Sequence, residues 1–132
     1  MRRLLVVEHN PLFRDGLALL LKWHTGLSSV YAGSLLEARR ILDEEDQKPA
    51  CIVVDLDLPD GDGTALLKQL KGLPVLALIR HQNPKRRAEA IGLGAAEVLD
   101  KTGSTAKIAV TVERLVGPRP TTYGAGCASL GP

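Results

Sequence analysis

The feature that most constrains this chain is an apolar run that ends in a carboxylate. Residues 51–54 read Cys-Ile-Val-Val, Asp55 follows, and residues 56–63 form a segment rich in Asp, Pro and Gly. β-branched residues favour strands, and clusters of Pro, Gly and Asp favour turns. An apolar run without polar alternation is typical of a parallel strand covered on both faces. Ligands of such sheets bind outside the carboxyl ends of the strands, so Asp55 lies where a reactive acid is expected.

Size and charge exclude several other classes. A chain of 132 residues fits one domain, and 45% hydrophobic with 24% charged residues is the composition of a folded globular protein. The net charge of +2, from 17 basic and 15 acidic side chains, is too balanced to predict binding to nucleic acid or to a membrane. The apolar run at residues 4–7 is too short for a signal peptide or a span, so a cytoplasmic location is expected. Cys51 and Cys127 do not predict a disulfide.

Apolar runs alternate with helical periods along the chain, and they predict five strands and five helices. The predicted strands cover residues 4–7, 29–32, 50–55, 74–79 and 96–99. The predicted helices run from Pro11 to near Gly26, from Ser34 to the acidic run 43–46, from 64 to 71, from 85 to 93, and onward from Ser104 or Thr105. This alternation favours a doubly wound α/β fold, a parallel sheet with helices on both faces. Residues 1–117 form the predicted domain, and residues 118–132 a flexible tail or the start of a linker.

In the first helix, apolar residues recur every three or four positions and predict a stripe that packs on the sheet. Its predicted members are Leu12, Phe13, Leu17, Leu20, Leu21 and either Trp23 or His24.

Charged side chains follow three of the predicted strands. Glu8 and His9 come after the first, Asp55 ends the third, and Lys101 comes after the fifth. The carboxyl ends of parallel strands share one edge of the sheet, so these groups are expected to converge. Carboxylates suit a hard divalent ion such as magnesium, and a lysine can pair with phosphate or with the acids. The edge is therefore a predicted site for a metal and a phosphoryl group.

Four motifs, in this order, make the chain similar to a known family. They are Val-Val-Glu-His-Asn-Pro-Leu-Phe-Arg-Asp-Gly-Leu at 6–17, Val-Val-Asp-Leu-Asp-Leu-Pro-Asp-Gly-Asp-Gly at 53–63, Pro-Val-Leu-Ala-Leu at 74–78 and Gly-Ala-Ala-Glu-Val-Leu-Asp-Lys at 94–101. With these motifs the chain resembles the receiver domain of two-component response regulators over residues 1 to about 117. The resemblance implies a flavodoxin-like fold with strand order 2-1-3-4-5.

The resemblance also implies roles for single residues. Asp55 stands at the position of the phosphoryl acceptor, and Lys101 at that of the lysine that contacts the phosphoryl group. Glu8 stands at the first acidic position of the metal site, and Asp57 where a backbone carbonyl meets the metal. The implied cofactor is Mg²⁺, and the implied phosphoryl donor is a sensor histidine kinase or a phosphotransfer protein.

Three positions depart from the family pattern. His9 stands where an aspartate normally binds magnesium, and a neutral imidazole favours zinc, copper or nickel instead. Ile79 replaces a Thr or Ser whose hydroxyl contacts the phosphoryl group, and Val98 replaces an aromatic residue that moves with it. These replacements predict weak or absent Mg²⁺ binding and a weakened switch. His9 has a second interpretation, as an exposed polar loop residue.

Other charged residues have simpler interpretations beside functional ones. Asp60 and Asp62 are expected to hydrogen-bond their own backbone in the turn. A basic cluster near the fourth helix is either a solvated face or a face for an acidic partner. It consists of Arg80, His81, Lys85, Arg86 and Arg87.

Two functions follow as hypotheses. In the first, Asp55 accepts a phosphoryl group in a phosphorelay. In the second, the chain is a phosphorylation-independent interaction or dimerisation domain. The resemblance places a homodimer on the face of the fourth helix, fifth strand and fifth helix, and it implies neither direct nucleic-acid binding nor membrane contact. No G-x-G-x-x-G, P-loop or G-x-S-x-G motif is present, so a separate enzyme activity is not expected.

Overall fold

A five-stranded parallel sheet forms the centre of the computed structural model, which describes residues 2–118. Its strands are β1 (Leu4–Val7), β2 (Ser29–Ala32), β3 (Cys51–Asp55), β4 (Val75–Ile79) and β5 (Glu97–Asp100). The helices are α1 (Pro11–Thr25), α2 (Leu35–Glu44), α3 (Thr64–Leu67, continued by a 3-10 turn Lys68–Leu70), α4 (Pro84–Gly92) and α5 (Thr105–Val116). The strand order is 2-1-3-4-5, with every neighbouring pair parallel. The predicted fold class and strand order are confirmed.

Alternate side chains of the strands enter two separate cores. In β1, Leu5 and Val7 pack toward α2, α3 and α4, whereas Leu4 and Val6 pack toward α1 and α5. All residues of β1, β3 and β4 are buried, since helices cover both faces of the sheet at these strands. The apolar runs of the sequence therefore correspond to central strands.

Capping side chains define where the helices begin. Asn10 Oδ1 accepts from the backbone N–H groups of Leu12 and Phe13, with Pro11 at the first helical position. The same role falls to three other side chains, each of which accepts a backbone N–H of the first turn: Ser34 for α2, Asn83 for α4 and Ser104 for α5. The caps expected from the sequence are confirmed.

The buried face of α1 differs from the predicted stripe. Leu17 and Leu21 are buried, but Leu12 is 86% exposed. Leu12 lies five residues before Leu17, about 140° away around the helix, so it cannot share that face. Of the two alternatives at the end of the stripe, His24 is half-buried and Trp23 is exposed.

A short hairpin that the sequence did not predict follows β3. Its strands, Asp57–Leu58 and Gly61–Asp62, pair antiparallel, and Gly63 follows them. A Cβ atom on Gly63 would lie 2.8 Å from the carbonyl oxygen of Asp55 and 2.8 Å from Leu56 Cα. Only glycine fits this close approach, which folds the hairpin back over the end of β3.

Residues 119–132 of the expected tail lie outside the described residues. Among the helices of residues 2–118, none has both the length and the apolar character needed to cross a bilayer.

We expect Gly63→Ala to lower the free energy of unfolding by about 1–3 kcal/mol, because the added methyl group meets backbone atoms. Gly16→Ala is the matched control, since Gly16 lies in α1 and a methyl group added there would have nothing within 4 Å. The control should be neutral or gain up to about 1 kcal/mol from the helix preference of alanine. Urea unfolding of both variants measures this, and a Gly63→Ala protein as stable as the control would contradict the close approach at Gly63.

Candidate functional site

Two buried carboxylates and one lysine meet at the carboxyl edge of the sheet. Glu8 follows β1, Asp55 ends β3, and Lys101 follows β5. The parallel register aligns these strand ends, with Val7 opposite Val54. Glu8 and Asp55 are each 2% exposed. The convergence expected from the sequence is present for these three groups, while His9 lines the same cleft as an exposed side chain.

Lys101 joins the two acids. Its Nζ lies 2.9 Å from Asp55 Oδ2 and 2.8 Å from Glu8 Oε1. The Phe13 ring lies beneath the same ammonium, with its centroid 4.9 Å away. The backbone N–H of Lys101 donates to the Ile79 carbonyl at 2.7 Å. Partial burial lowers the pKa of Lys101, but the hydrogen bonds to Glu8 and Asp55 and their charges outweigh it and raise the pKa. The ammonium therefore stays charged at neutral pH.

A backbone amide also bonds each acid. On Asp55 it bonds the oxygen that Lys101 does not, but on Glu8 it bonds Oε2, which also accepts from Lys101 Nζ at 2.9 Å, so the buried Oε1 has no hydrogen-bond partner among the described residues. Asp55 Oδ1 accepts from the N–H of Asp57 at 2.9 Å, and Glu8 Oε2 accepts from the N–H of Asn10 at 2.9 Å. Both carboxylates are thus held between the lysine and a loop that begins at the same edge. This fixes the orientation of Asp55.

Arg86 brings a second cation to this site, in the cleft at the carboxyl edge of the sheet. Its guanidinium donates to Asp57 Oδ1 at 2.6 Å, to the Leu56 carbonyl at 2.8 Å and to Asp62 Oδ1 at 3.1 Å. The guanidinium therefore faces the loop after Asp55, which the sequence did not predict, and the partner-face role of Arg86 stays a prediction. The side chain is 22% exposed.

The two other loop acids have different partners. Asp62 Oδ1 accepts from the Thr64 N–H at 2.9 Å, which confirms its predicted turn role. The main partners of Asp60 lie elsewhere: beside the predicted bond to its own backbone, its oxygens accept from the N–H groups of Leu35 and Leu36 at 2.9 and 3.1 Å. These two bonds lower the pKa of Asp60, and they tie the hairpin to the N-terminus of α2.

The donor set fits magnesium poorly. Glu8 and Asp55 offer oxygens, but both already accept from one ammonium, and His9 supplies an exposed imidazole. Within residues 2–118, no three His, Cys, Asp or Glu side chains are grouped as metal ligands. The metal roles of Glu8, Asp55, His9 and the Asp57 carbonyl stay predictions.

The two residues predicted to replace the switch, Ile79 and Val98, lie in the core at β4 and β5. Ile79 is 1% exposed and Val98 is fully buried, so both present only hydrocarbon there. Arg87 donates to the Val98 carbonyl at 2.6 Å and thereby ties α4 to β5. Arg80 and Lys85 are both exposed. Of the two, Arg80 lines the cleft. The partner-face role of Arg80, Lys85 and Arg87 stays a prediction.

The contribution of Arg86 to the site was missed from the sequence, although one signal pointed to it. Cations in the first turn of a helix oppose the helix dipole and need another reason to be there. Three aspartates follow Asp55 within seven residues, at 57, 60 and 62. An acidic loop at the same edge is the natural partner of such a cation.

The fold and the site define a doubly wound α/β domain with two acids and a lysine at the carboxyl edge of its parallel sheet, which is where such folds bind their ligands. The family model described as "Response regulator receiver domain" matches residues 4–113. The chain belongs to this family.

Similar proteins agree with this assignment. The transcriptional regulatory protein PmrA of Pectobacterium parmentieri is 30% identical over 118 residues, which cover 86% of this chain and 52% of PmrA. The virulence transcriptional regulatory protein PhoP of Salmonella typhimurium is 34% identical over 105 residues, which cover 76% of this chain and 46% of PhoP. The chain thus spans about half the length of these relatives.

Among solved structures, the beryllofluoride-activated NtrC4 receiver domain dimer is similar, with a TM-score of 0.77 and 28% identity. The match covers 88% of this chain and 97% of the other.

We expect Lys101→Met to destabilise the protein by about 3–5 kcal/mol at neutral pH, because it leaves two buried carboxylates without a counter-charge. Arg114→Met is the matched control, since Arg114 forms an exposed ion pair with Glu97 and its loss should cost below about 1 kcal/mol. Urea unfolding measures both variants.

The stability that Lys101 contributes should depend on pH in one direction. The raised pKa of Lys101 means that its contribution is present below the unfolded value of 10.5 and is lost only as the pH rises through the higher folded value. The deficit of Lys101→Met relative to the wild type should therefore be full at neutral pH and shrink only as the pH rises through that folded value. Equal losses for Lys101→Met and Arg114→Met would contradict this account.

Proposed function

We propose that Asp55 accepts a phosphoryl group from the phosphohistidine of a sensor histidine kinase or a phosphotransfer protein. The observation that carries this is the Lys101 ammonium 2.9 Å from Asp55 Oδ2 and in contact with Glu8. A buried carboxylate beside a fixed cation stays ionised and nucleophilic. A carboxylate oxygen of Asp55 forms the new bond to phosphorus while the bond from phosphorus to the donor nitrogen breaks. Lys101 then neutralises the added charge.

Under this proposal the chain is a phosphoryl acceptor and assists at most its own phosphorylation and dephosphorylation. Orientation is its main contribution to the transfer. The Asp57 N–H bond to Oδ1 and the Lys101 bond to Oδ2 leave Asp55 one arrangement in the cleft.

We propose further that Mg²⁺ binds weakly. Two unit charges about 4 Å apart interact by about 4 kcal/mol at an effective dielectric of about 20, so the carboxylate missing at His9 removes a large part of the attraction. Glu8, Asp55 and the Asp57 carbonyl are the oxygen donors that remain.

A second candidate function is a phosphorylation-independent interaction or dimerisation domain. The burial of Ile79 and Val98 favours it, because neither side chain can bond a phosphoryl oxygen. A homodimer through the face of α4, β5 and α5 belongs to this proposal, and that face carries the exposed residues Arg80 and Lys85.

We expect a small phosphodonor such as acetyl phosphate to add one phosphoryl mass to the intact protein. Asp55→Asn should abolish the addition, whereas Asp43→Asn, which changes an exposed acid in α2, should leave it unchanged. Mass spectrometry of the intact protein measures this. An unchanged mass at high Mg²⁺ and donor concentrations, with a dimer still seen in sedimentation, would reject the first function and support the second.

We expect His9→Asp to strengthen Mg²⁺ binding by about tenfold or more, because it returns a carboxylate to the cleft. His81→Asp is the matched control, since His81 is an exposed histidine that does not line the cleft. Amide chemical shifts during a Mg²⁺ titration give both affinities. If the two variants bind Mg²⁺ alike, the histidine is not what weakens the site.

A further inference from the structure

Arg86 lies at a position of α4 where a positive charge is unfavourable for the helix. It is the third residue of α4, and its N–H is the one that Asn83 caps. A cation in the first turn opposes the helix dipole. Something outside α4 must therefore stabilise this side chain.

The hairpin after Asp55 provides that stabilisation. Asp57 and Asp62 are directly opposite each other across its two strands. Like charges in such a pair destabilise a hairpin. The Arg86 guanidinium bonds both carboxylates, Asp57 at 2.6 Å and Asp62 at 3.1 Å, so it removes the repulsion that would otherwise open the hairpin.

The same guanidinium also holds the chain next to Asp55. It donates to the Leu56 carbonyl at 2.8 Å, which accepts from the Gly63 N–H at 2.8 Å as well. Leu56 and Asp57 are the two residues after Asp55, and the Asp57 N–H donates to Asp55 Oδ1. Fixing these residues fixes the donor that orients the acceptor carboxylate.

We infer that Arg86 is the positioning residue of this site, and that its guanidinium orders the hairpin after Asp55 in place of a divalent cation. The meaning of this order for phosphorylation rests on the proposed function of Asp55. The order itself rests only on the contacts of Arg86. The guanidinium also adds positive charge to a cleft that has a histidine instead of a carboxylate at position 9, so it opposes the binding of a divalent cation.

The ionisation of the partners agrees with this role. Partial burial lowers the pKa of Arg86, but the hydrogen bond and charge of Asp57, with those of Asp62, outweigh it and raise the pKa. Burial raises the pKa of Asp62, but the bonds from Thr64 and the charge and bond of Arg86 leave it lowered. Both groups stay charged at neutral pH.

The test compares Arg86→Gln, Arg86→Lys and Arg87→Gln by amide hydrogen exchange and by Mg²⁺ titration, without a phosphodonor. Arg87 is the matched control, because it is the next residue of α4 and bonds the Val98 carbonyl instead of the hairpin. The amides of Asp57 and Gly63 report on the hairpin, and the amide of Ile52, bonded to the Pro74 carbonyl, reports on the sheet.

For Arg86→Gln we expect exchange at Asp57 and Gly63 to rise about tenfold relative to Ile52, as in local opening. Its Mg²⁺ affinity should rise by about tenfold, since a unit positive charge leaves the cleft. Arg86→Lys keeps the charge but not the forked geometry, so it should open the hairpin and leave Mg²⁺ binding weak. Arg87→Gln should change neither the exchange of Asp57 and Gly63 relative to Ile52 nor the Mg²⁺ affinity.

The inference is overturned if Arg86→Gln has the hairpin exchange and the Mg²⁺ affinity of the wild type. It is also overturned if Arg86→Gln and Arg87→Gln have equal effects. A protein that takes no phosphoryl group at Asp55 but shows the expected exchange pattern would reject the proposed function and keep this inference.

Discussion

The Lys101 ammonium is the contact on which the rest of the site depends. It touches a carboxylate that follows β1 and a carboxylate that ends β3, and its own backbone is fixed to β4 through the Ile79 carbonyl. An isolated buried charge is strongly unfavourable, and Lys101 supplies the counter-charge to both Glu8 and Asp55, which are each 2% exposed. The sheet order makes the contact available, since the carboxyl ends of parallel strands meet at one edge. Fold and site thus share one electrostatic requirement.

Much of this arrangement could be predicted from the sequence, because its causes are local or follow from the topology. The run before Asp55 indicated a central strand, and Asn10-Pro11 and Asn83-Pro84 indicated helix starts, since a cap and a fixed proline φ act within one turn. The acid-lysine cluster followed from parallel strand ends alone. The position of Leu12 could not be predicted from spacing alone, because the buried pair Leu17 and Leu21 sets the face of α1 and Leu12 lies about 140° from Leu17 around the helix.

The contacts that could not be predicted are specific side-chain contacts between distant segments. Asp60 bonds the start of α2, 24 and 25 residues earlier, and Arg86 bonds the hairpin, 24 to 30 residues earlier. Neither pairing has a periodic or local signature in the sequence. Several other acidic and basic residues could equally have formed these bonds. Packing decides between them, through the tight fold at Gly63 that turns the hairpin back toward α4.

Lys101 and Arg86 hold the carboxyl edge of the sheet without any added group, and under the proposed function this limits what phosphorylation at Asp55 would change. A ligand shifts a conformational equilibrium only by the difference between its interactions in the two states. With Ile79 and Val98 in the core, a phosphoryl group lacks a hydrogen bond from a hydroxyl to a charged acceptor, worth about 1.5 to 3 kcal/mol. That loss makes the population shift roughly ten- to hundredfold smaller. Because Arg87 also ties α4 to β5 through the Val98 carbonyl, these contacts favour the second proposed function, in which the chain interacts through a surface that is already formed.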